Sequence, residues 1–301
     1  MSYSIYYMLT PRCLLNCGYC FRDTSKESLA RELSLEDKLK VIHALVENLN
    51  VRKITLSGGE PTIIGGSVLT QFLELIETIK NYKIKYPDLR IELLTNAILL
   101  EPDVLEKLVG AIDRTTITLD TINEEVLTKI GRNTTTYKNY LSRFKKRMIE
   151  MNRLGFETKI HSVVTPVNYD FLEELAQYIK DNNHMFKINR WKFYQYMTYD
   201  DPVKDAMYQI DNQRFSMIKN KIESLLKSSE IDVTFKDNQL MIDSMLNLTH
   251  YGCLEHVTMI DGKKTTFLSK QIWVYKTINE LSNDIHITIE KLNLYHGYTN
   301  E

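Results

Sequence analysis

The first 193 residues alternate six times between a strand-like run and a helix-like segment. The runs are short and rich in β-branched and aromatic residues, whereas the segments between them place apolar residues three and four positions apart. Such alternation is typical of a parallel β-sheet with helices packed outside it. The predicted strands are Tyr3–Leu9, Lys53–Leu56, Arg90–Thr95, Thr115–Leu119, Glu157–Val164 and Lys187–Phe193.

The pattern changes after residue 199. We expect a helix at Asp211–Leu226, a strand at Ile231–Phe235, a helical segment at Asn238–Leu248 and a hairpin turn at Asp261-Gly262. No stretch rich in Gly, Ser or Pro separates this part from the rest. The sequence therefore predicts a core over residues 1–199 and a C-terminal α+β extension over residues 200–301 that packs on it.

The chain has 301 residues, of which 43% are hydrophobic, and a formal net charge of -1. This length is sufficient for a sizeable core, and the near-neutral charge gives no reason to expect nucleic acid or a membrane as partner. We see no signal peptide and no apolar run long enough to span a bilayer. Four cysteines, three of them clustered, do not form a disulfide framework, so we expect a cytoplasmic protein.

Three cysteines lie within eight residues, in a polar loop directly after the first predicted strand. Cys13, Cys17 and Cys20 have the spacing C-x3-C-x2-C. Thiolates are the ligands that hold iron–sulfur clusters and zinc. A structural zinc site usually takes four ligands in two C-x2-C pairs, and the only other cysteine is Cys253. The spacing therefore favours a four-iron cluster with one iron open to an outside ligand.

This motif, with Tyr19 before its third cysteine, and Ser57-Gly58-Gly59-Glu60-Pro61 resemble the signatures of the radical S-adenosylmethionine (radical SAM) superfamily. The resemblance implies an α/β fold, a (β/α)6 partial TIM-type barrel, whose mouth the C-terminal extension covers. It implies a [4Fe-4S] cluster on the three cysteines and SAM at the open iron. Reductive cleavage of SAM yields a 5′-deoxyadenosyl radical, so an electron donor such as flavodoxin or ferredoxin is expected as partner.

The resemblance also implies a SAM site at the carboxyl ends of the strands, where parallel α/β sheets bind ligands. Tyr19 is expected near the adenine, Glu60 at the amino group, and Thr118 and Arg132 at the carboxylate and ribose. The predicted SAM-binding residues are Tyr19, Gly58, Gly59, Glu60, Asn96, Thr118 and Arg132.

Basic residues on the last two core strands favour an anionic substrate. Lys159 and His161 are two residues apart and share one face of the fifth strand, as Arg190 and Lys192 do on the sixth. Converging on the barrel mouth, they would suit a polyphosphate, with Arg as a planar fork and Lys as a point charge. A single such residue is more often only solvated, so the prediction depends on the whole set.

Four segments together resemble viperin and its prokaryotic relatives: Lys26 after the cluster, Lys159-x-His161, Arg190-Trp191-Lys192 followed by Phe193-Tyr194-Gln195, and Asn238-x-x-Met241-x-x-Ser244. The resemblance implies dehydration of a nucleoside triphosphate to its 3′-deoxy-3′,4′-didehydro form. Lys26, Lys159, Arg190 and Lys192 would hold the triphosphate. His161 stands where the viperin pattern usually has Asn.

Two alternatives stay open. In a radical SAM epimerase or modifying enzyme of a sugar or peptide, the thiol of Cys253 would donate a hydrogen atom to the substrate radical. Cys253 could instead be a small buried hydrophobic residue with only a packing role. The chain could also be a cluster- or zinc-holding scaffold without catalysis. A twin-cluster enzyme is disfavoured, because one extra cysteine cannot hold a second cluster.

Overall fold

The structure is a computed structural model that describes residues 3–198, 201–238, 246–260 and 263–288. This part of the chain contains one sheet of ten strands, which runs in the order β10-β9-β8-β1-β2-β3-β4-β5-β6-β7 when the strands are numbered along the chain. The strands are β1 (Tyr3–Thr10), β2 (Val51–Gly58), β3 (Arg90–Thr95), β4 (Arg114–Thr118), β5 (Glu157–Val164), β6 (Ile188–Gln195), β7 (Asp232–Lys236), β8 (Asn247–Leu248), β9 (Cys253–Ile260) and β10 (Lys263–Gln271).

Strands β1 to β7 are all parallel to their neighbours. Their residues alternate between two faces, as strand geometry requires. On β1, Ile5, Tyr7 and Leu9 are fully buried in the main hydrophobic core, whereas Ser4 and Thr10 face the other side. The same alternation on the following strands places apolar residues toward the helices and polar residues toward the interior of the barrel. The predicted α/β partial barrel is therefore confirmed.

Ten α-helices connect or flank these strands within the described residues. They are α1 (Lys26–Ala30), α2 (Leu35–His43), α3 (Thr70–Lys85), α4 (Pro102–Leu108), α5 (Glu124–Ile130), α6 (Tyr140–Arg153), α7 (Leu172–Phe186), α8 (Pro202–Tyr208), α9 (Asn212–Leu226) and α10 (Ile278–Asp284). A π-helical turn, Ala44–Asn48, continues α2, and 3-10 turns span Pro61–Gly66, Tyr169–Phe171 and Ile272–Val274. Across these described ranges, no helix combines the length and the apolar composition that a membrane crossing requires.

Local sequence explains where several of these helices begin and end. Asn123 caps α5, because its side chain accepts hydrogen bonds from the backbone N–H groups of Glu125 and Val126. The helix ends at Gly131, whose φ of 94° is the left-handed conformation that glycine adopts at little cost. Ser34 caps α2 in the same way. These caps fix the positions at which the chain turns back toward the carboxyl ends of the strands.

The C-terminal extension adds strands at both edges of the parallel sheet. β7 pairs with β6, whereas β8 pairs with β1 and leads into the antiparallel pair β9 and β10. Strands β9 and β10 pair in antiparallel fashion, as a hairpin requires, but the predicted turn Asp261-Gly262 lies outside the described residues. The short helices α1, α8 and α10 were not predicted. Of the helix predicted at 238–248, residues 239–245 lie outside the described part, and Asn247–Leu248 are a strand rather than a helix. A parallel partner on β1 decides that conformation, which local pattern does not reveal.

Strand β6 is longer than its composition indicated. It continues to Gln195, because Tyr194 and Gln195 pair with Val163 and Val164 of β5. Arg190 is therefore the third residue of the strand and lies toward its amino end. This position is not the barrel mouth at which we expected Arg190, and its role as a substrate-binding residue stays a prediction.

Candidate active site

The three clustered cysteines lie in the loop that follows β1. All three are free thiols and are half-buried. Cys13 accepts hydrogen bonds from the backbone N–H of Leu15, at 3.4 Å, and from the side-chain amide of Asn96, at 3.6 Å. Burial raises the pKa of Cys13, and it raises the pKa of Cys17 to about 11 although the nearby Arg132 opposes it. Three free thiols in one loop, of which Cys13 accepts two hydrogen bonds, have the chemistry of the sulfur ligands of an iron–sulfur cluster.

Backbone contacts hold this loop from two sides. The N–H groups of Gly59 and Glu60 each donate to carbonyls of the loop, those of Thr10 and Arg12, at 2.7 Å. On the other side, the N–H of Gly18 donates to the carbonyl of Ile130 at 2.9 Å. Any side chain at position 59 would lie 2.1 Å from the Arg12 carbonyl oxygen, so glycine is required there. The glycine pair of the predicted signature thus packs directly on the cysteine loop.

Gly131 makes the corresponding close approach from the end of α5. A Cβ atom there would lie 2.3 Å from the carbonyl oxygen of Asn16, and the backbone has φ of 94°. The thiol of Cys17 is also 3.9 Å from the carbonyl of Gly131. The cysteine loop is therefore fixed between the turn after β2 and the end of α5.

Glu60 is almost completely buried between the ends of β2 and β3. Its carboxylate accepts four hydrogen bonds: from the N–H and hydroxyl of Thr62, from the hydroxyl of Thr95 and from the N–H of Asn96. Burial raises the pKa of this carboxyl, and the four hydrogen bonds oppose that shift. The carboxylate is thus held in one orientation beside the cysteine loop, and Asn96 contacts both groups.

A second buried network joins Tyr19, Asp120 and Arg132. The Tyr19 hydroxyl donates to the Asp120 carboxylate at 2.6 Å, and Arg132 donates to both, at 2.5 Å and 3.1 Å. Asp120 also accepts from the backbone N–H of Val163 at 2.9 Å, which ties the network to β5. Tyr19, predicted near the adenine, and Arg132, predicted near the SAM ribose, therefore both bond Asp120. Asp120 itself follows β4 and was not among the predicted site residues.

Tyr208 of α8 covers the same part of the loop. Its ring meets that of Tyr19 edge-on at 6.2 Å and lies directly against Gly18. Lys204 of α8 donates to the Cys20 carbonyl at 3.4 Å. This is where the described extension approaches the cysteine loop.

Farther into the barrel, the interior face of the strands is strongly basic. Lys159 donates to the buried carboxylate of Glu92 at 3.1 Å, and Glu92 also accepts from Thr116. Burial alone would raise the pKa of Glu92, but Lys159 and Thr116 outweigh it and lower that pKa to about 2. The basic side chains of this region are Lys53, Arg114, Lys159, Arg190, Lys192 and Lys236.

Lys192 and His161 are neighbours on β6 and β5 and are both buried. Burial, with the charges of Lys159 and Lys236, lowers the pKa of Lys192 to about 7. Within the described residues, neither the Lys192 ammonium nor His161 Nε2 has a hydrogen-bond partner. Burial lowers the pKa of His161 well below its ordinary value, and its ring packs edge-on against Tyr194 at 5.0 Å. Of these two groups, His161 Nε2 is a fully buried polar atom that no described residue bonds.

The structure brings most, but not all, of the predicted site residues together. Thr118 ends β4, and its carbonyl accepts from the hydroxyl of Tyr140. Lys26 is the exposed first residue of α1. Sequence reasoning missed Lys53, Arg114 and Lys236 as interior residues; a lysine or arginine within a parallel strand is the signal that would have shown them.

Cys253 lies elsewhere. It is the first residue of β9, which β8 separates from β1, and its N–H donates to the hydroxyl of Thr249. Burial raises the pKa of its thiol, and the charges that act on it belong to Arg31 and Glu255, not to the barrel interior. This position gives no support to Cys253 as a hydrogen donor in the barrel.

The protein is a partial parallel barrel that carries a three-cysteine loop at the carboxyl end of its first strand. The model of the radical SAM superfamily matches residues 7–179. The chain belongs to this superfamily. The predictions of superfamily membership and of its cofactors, a [4Fe-4S] cluster and SAM, are confirmed.

The chain is similar to several relatives in sequence. A probable GTP 3′,8-cyclase from Methanococcus maripaludis is 34% identical over 166 residues, which cover 54% of this chain and 47% of that protein. A probable GTP 3′,8-cyclase from Methanocaldococcus jannaschii is 25% identical over 278 residues, covering 87% of this chain and 86% of that protein. The matched region spans about half the length of the Methanococcus relatives.

Solved structures share the fold. SuiB of Streptococcus suis bound to S-adenosylmethionine has a TM-score of 0.64 at 17% identity, and the match covers 84% of this chain and 60% of that one. The protein anSMEcpe with bound AdoMet has a TM-score of 0.67 at 15% identity, covering 98% and 82%. At such identities the likeness concerns the fold alone.

Proposed function

We propose that this radical SAM enzyme acts on a nucleoside triphosphate. The observation that carries the proposal is the interior of the barrel, where Lys53, Arg114, Lys159 and Lys192 interact electrostatically with one buried carboxylate, that of Glu92. Several cations around a single carboxylate favour a multiply charged anion as ligand. When bound, the cluster and SAM supply the radical that removes a hydrogen atom from the substrate.

The chain's own residues would then divide into two groups along the barrel. Glu60, Tyr19 and Arg132 lie beside the cysteine loop and would orient SAM. Lys159, Arg190 and Lys192 follow one another along β5 and β6 and would hold the phosphates. His161 lies between these groups, where its neutral ring would contact the ribose or the first phosphate. Lys26 is exposed on α1 and would contribute only if that loop closes over the substrate.

The reaction that we favour is the viperin-like dehydration to a 3′-deoxy-3′,4′-didehydro nucleotide. It follows from the segments around Lys159 and Arg190 that resemble viperin. A second candidate is a cyclisation of GTP, because the relatives that match the chain are named as GTP 3′,8-cyclases. The two reactions differ in mass balance: dehydration removes one water, whereas joining two carbons of one molecule removes none.

Both reactions need electrons from outside. We infer a small redox protein, flavodoxin or ferredoxin, as the donor. No nucleic acid or membrane is required by either reaction, and the near-neutral net charge of -1 agrees with this.

The test uses the full chain reconstituted anaerobically with iron and sulfide. SAM, dithionite and each of the four nucleoside triphosphates are added in turn, and 5′-deoxyadenosine and nucleotide products are followed by mass spectrometry. A burst with one nucleotide and a product lighter by one water supports dehydration. A burst with GTP and no loss of water supports cyclisation. Slow 5′-deoxyadenosine formation that no nucleotide accelerates refutes a nucleotide substrate.

The variant Lys192→Met serves as the site-specific control. It removes a buried ammonium but keeps a long side chain in its place, so it tests phosphate binding rather than folding. Lys221→Met is the matched control, because Lys221 is an exposed residue of α9 that pairs with Glu173. The nucleotide-dependent burst is expected to disappear in the first variant and to persist in the second.

A further inference from the structure

The carboxylate of Asp120 joins three separate segments of the chain. Asp120 follows β4 and is completely buried. One of its carboxylate oxygens accepts from the Tyr19 hydroxyl at 2.6 Å and from Nε of Arg132 at 3.1 Å. The other oxygen accepts from the backbone N–H of Val163 at 2.9 Å. The cysteine loop, the segment after α5 and strand β5 therefore meet at this carboxylate.

Asn168 fixes the main chain at Asp120. It is fully buried, and its side-chain amide donates to the carbonyl of Asp120 at 2.8 Å and to that of Val163 at 2.9 Å. The amide oxygen of Asn168 accepts from the N–H and the hydroxyl of Thr165, both at 2.9 Å. Because both the main chain and the carboxylate of Asp120 bond buried groups, the carboxylate is held in one orientation.

Arg132 uses only part of its guanidinium in this network. Nε donates to Asp120 and Nη2 donates to the Tyr19 hydroxyl at 2.5 Å, so both bonds lie along one side of the planar group. Among the residues that the structure describes, none accepts a hydrogen bond from Nη1. The side chain of Arg132 is 7% exposed, and a guanidinium stays charged in a protein. A buried cation thus keeps a free donor edge beside the cysteine loop.

Opposite charges border the cysteine loop on its two sides. Glu60 follows β2 on one side, and Arg132 follows α5 on the other. Burial raises the pKa values of the Cys13 and Cys17 thiols, and the charge of Arg132 opposes that shift at both, which places the guanidinium close to the sulfur ligands. The ammonium and the carboxylate of SAM would match the charges of Glu60 and Arg132.

We propose that Asp120 is a positioning residue for SAM, which holds Arg132 so that the free edge of its guanidinium faces the SAM carboxylate. Asp120 acts through Arg132, because its own carboxylate oxygens already bond groups of the chain. Loss of the acceptor at Nε would let the guanidinium rotate, and the SAM carboxylate would lose a charge-assisted hydrogen bond. This inference does not depend on the nucleotide that we propose as substrate.

The experiment compares the binding of SAM and of 5′-methylthioadenosine to the full chain, which is reconstituted anaerobically with iron and sulfide and kept without reductant. 5′-Methylthioadenosine has the adenosine and the sulfur of SAM but lacks its amino-acid part. The ratio of the two affinities, measured by calorimetry, therefore reports on the carboxylate end and does not change with the fraction of folded protein. Iron content is measured for each variant.

The variants are Asp120→Asn, which keeps the size of the side chain, Arg132→Gln, and the double variant. Asp113→Asn is the matched control. The carboxylate of Asp113 also accepts from two basic side chains and from a backbone N–H, those of Lys83, Arg90 and Ile91, but it lies at the amino ends of the strands. This control should change neither affinity.

Asp120→Asn and Arg132→Gln are each expected to weaken SAM binding by about tenfold or more, because a hydrogen bond to a charged group contributes about that factor. Binding of 5′-methylthioadenosine should stay unchanged. The double variant should bind SAM no more weakly than Arg132→Gln, since two residues that act through one contact are not additive.

Three outcomes would overturn the assignment of Asp120. Asp120→Asn might bind SAM as well as the wild type or more tightly, it might lose affinity for both ligands equally, or the double variant might bind SAM more weakly than Arg132→Gln. If Asp120→Asn takes up no iron because its guanidinium is left buried and unpaired, the comparison of Arg132→Gln with the double variant still decides, since neither contains that guanidinium.

Discussion

Replacing Lys192 with Met should make the ligand-free protein more stable while it removes nucleotide binding. Lys192 is 6% exposed, and within the described residues it has no acidic partner at hydrogen-bond distance. An unpaired buried ammonium is costly, and a Met side chain fills nearly the same space without the charge. The expected gain in stability therefore comes from removing a positive charge that has no acidic partner among the described residues of the ligand-free protein.

The lowered pKa of Lys192 gives the size and the pH dependence of this gain. The difference between its ordinary value of 10.5 and about 7 corresponds to about 5 kcal/mol, as an order-of-magnitude upper limit. In the unfolded chain the amine stays protonated up to about pH 10, so the penalty is complete below pH 7 and shrinks as the pH rises from 7 toward 10.5. At pH 9 about 2 kcal/mol should remain. Stability of the wild-type protein should rise with pH over this window relative to Lys192→Met.

Urea denaturation of the cluster-free chain at pH 6.5 and pH 9 measures both quantities. Lys221→Met, which removes an exposed lysine of α9, should show no comparable gain and no such pH dependence. The reasoning is refuted if Lys192→Met is less stable than wild type at pH 6.5, or if its effect is the same at the two pH values. The first outcome would mean that Lys192 has a stabilising partner, and the second that its pKa is not depressed.

Three further substitutions test the packing of the site. Gly131→Ala should lower the free energy of unfolding by about 2 kcal/mol or more and lower the iron content after reconstitution, because a Cβ would lie 2.3 Å from a loop carbonyl. Gly155 also has a positive φ but open space around it, so Gly155→Ala is the control and should retain full iron content. Tyr19→Phe should cost about 1–3 kcal/mol in urea denaturation with normal iron content, since it removes the hydroxyl that donates to Asp120; an unchanged midpoint would show that this bond contributes nothing. Glu92→Gln should destabilise the protein by about 3–5 kcal/mol, because buried cations lose their carboxylate, and unchanged stability would argue against an excess of positive charge in the barrel.

Local sequence was sufficient for those parts of the fold in which one segment decides its own structure. The bounds predicted for the strands Arg90–Thr95 and Glu157–Val164 agree with the structure. Each is a short run with a clear strand pattern. The motifs also located the cysteine loop and the turn with Glu60, because spacing along the chain is all that such motifs need.

Sequence reasoning failed where contacts between distant segments determine the structure. The pairing of β8 with β1 and of β7 with β6 depends on contacts between residues more than 40 positions apart, and no local pattern contains them. The same is true of the network that links Tyr19 to Asp120 and Arg132, whose members are up to 113 residues apart. The inward direction of Lys53 was missed because a lysine near the amino end of a strand is usually solvated.

The two ends of the barrel are stabilised in different ways, and this difference connects structure to function. The cysteine loop is held by backbone hydrogen bonds and by glycines that permit close approach, so its geometry does not depend on a substrate. The barrel interior differs from this loop. Lys53 and Lys192 have lowered pKa values there, and a bound polyanion would raise them again. A ligand that reverses such shifts stabilises the fold by the same free energy with which the fold binds it. In the proposed function, the basic residues with lowered pKa values would therefore be the ones that bind the anionic substrate, while the rigid cysteine loop would hold the cofactor.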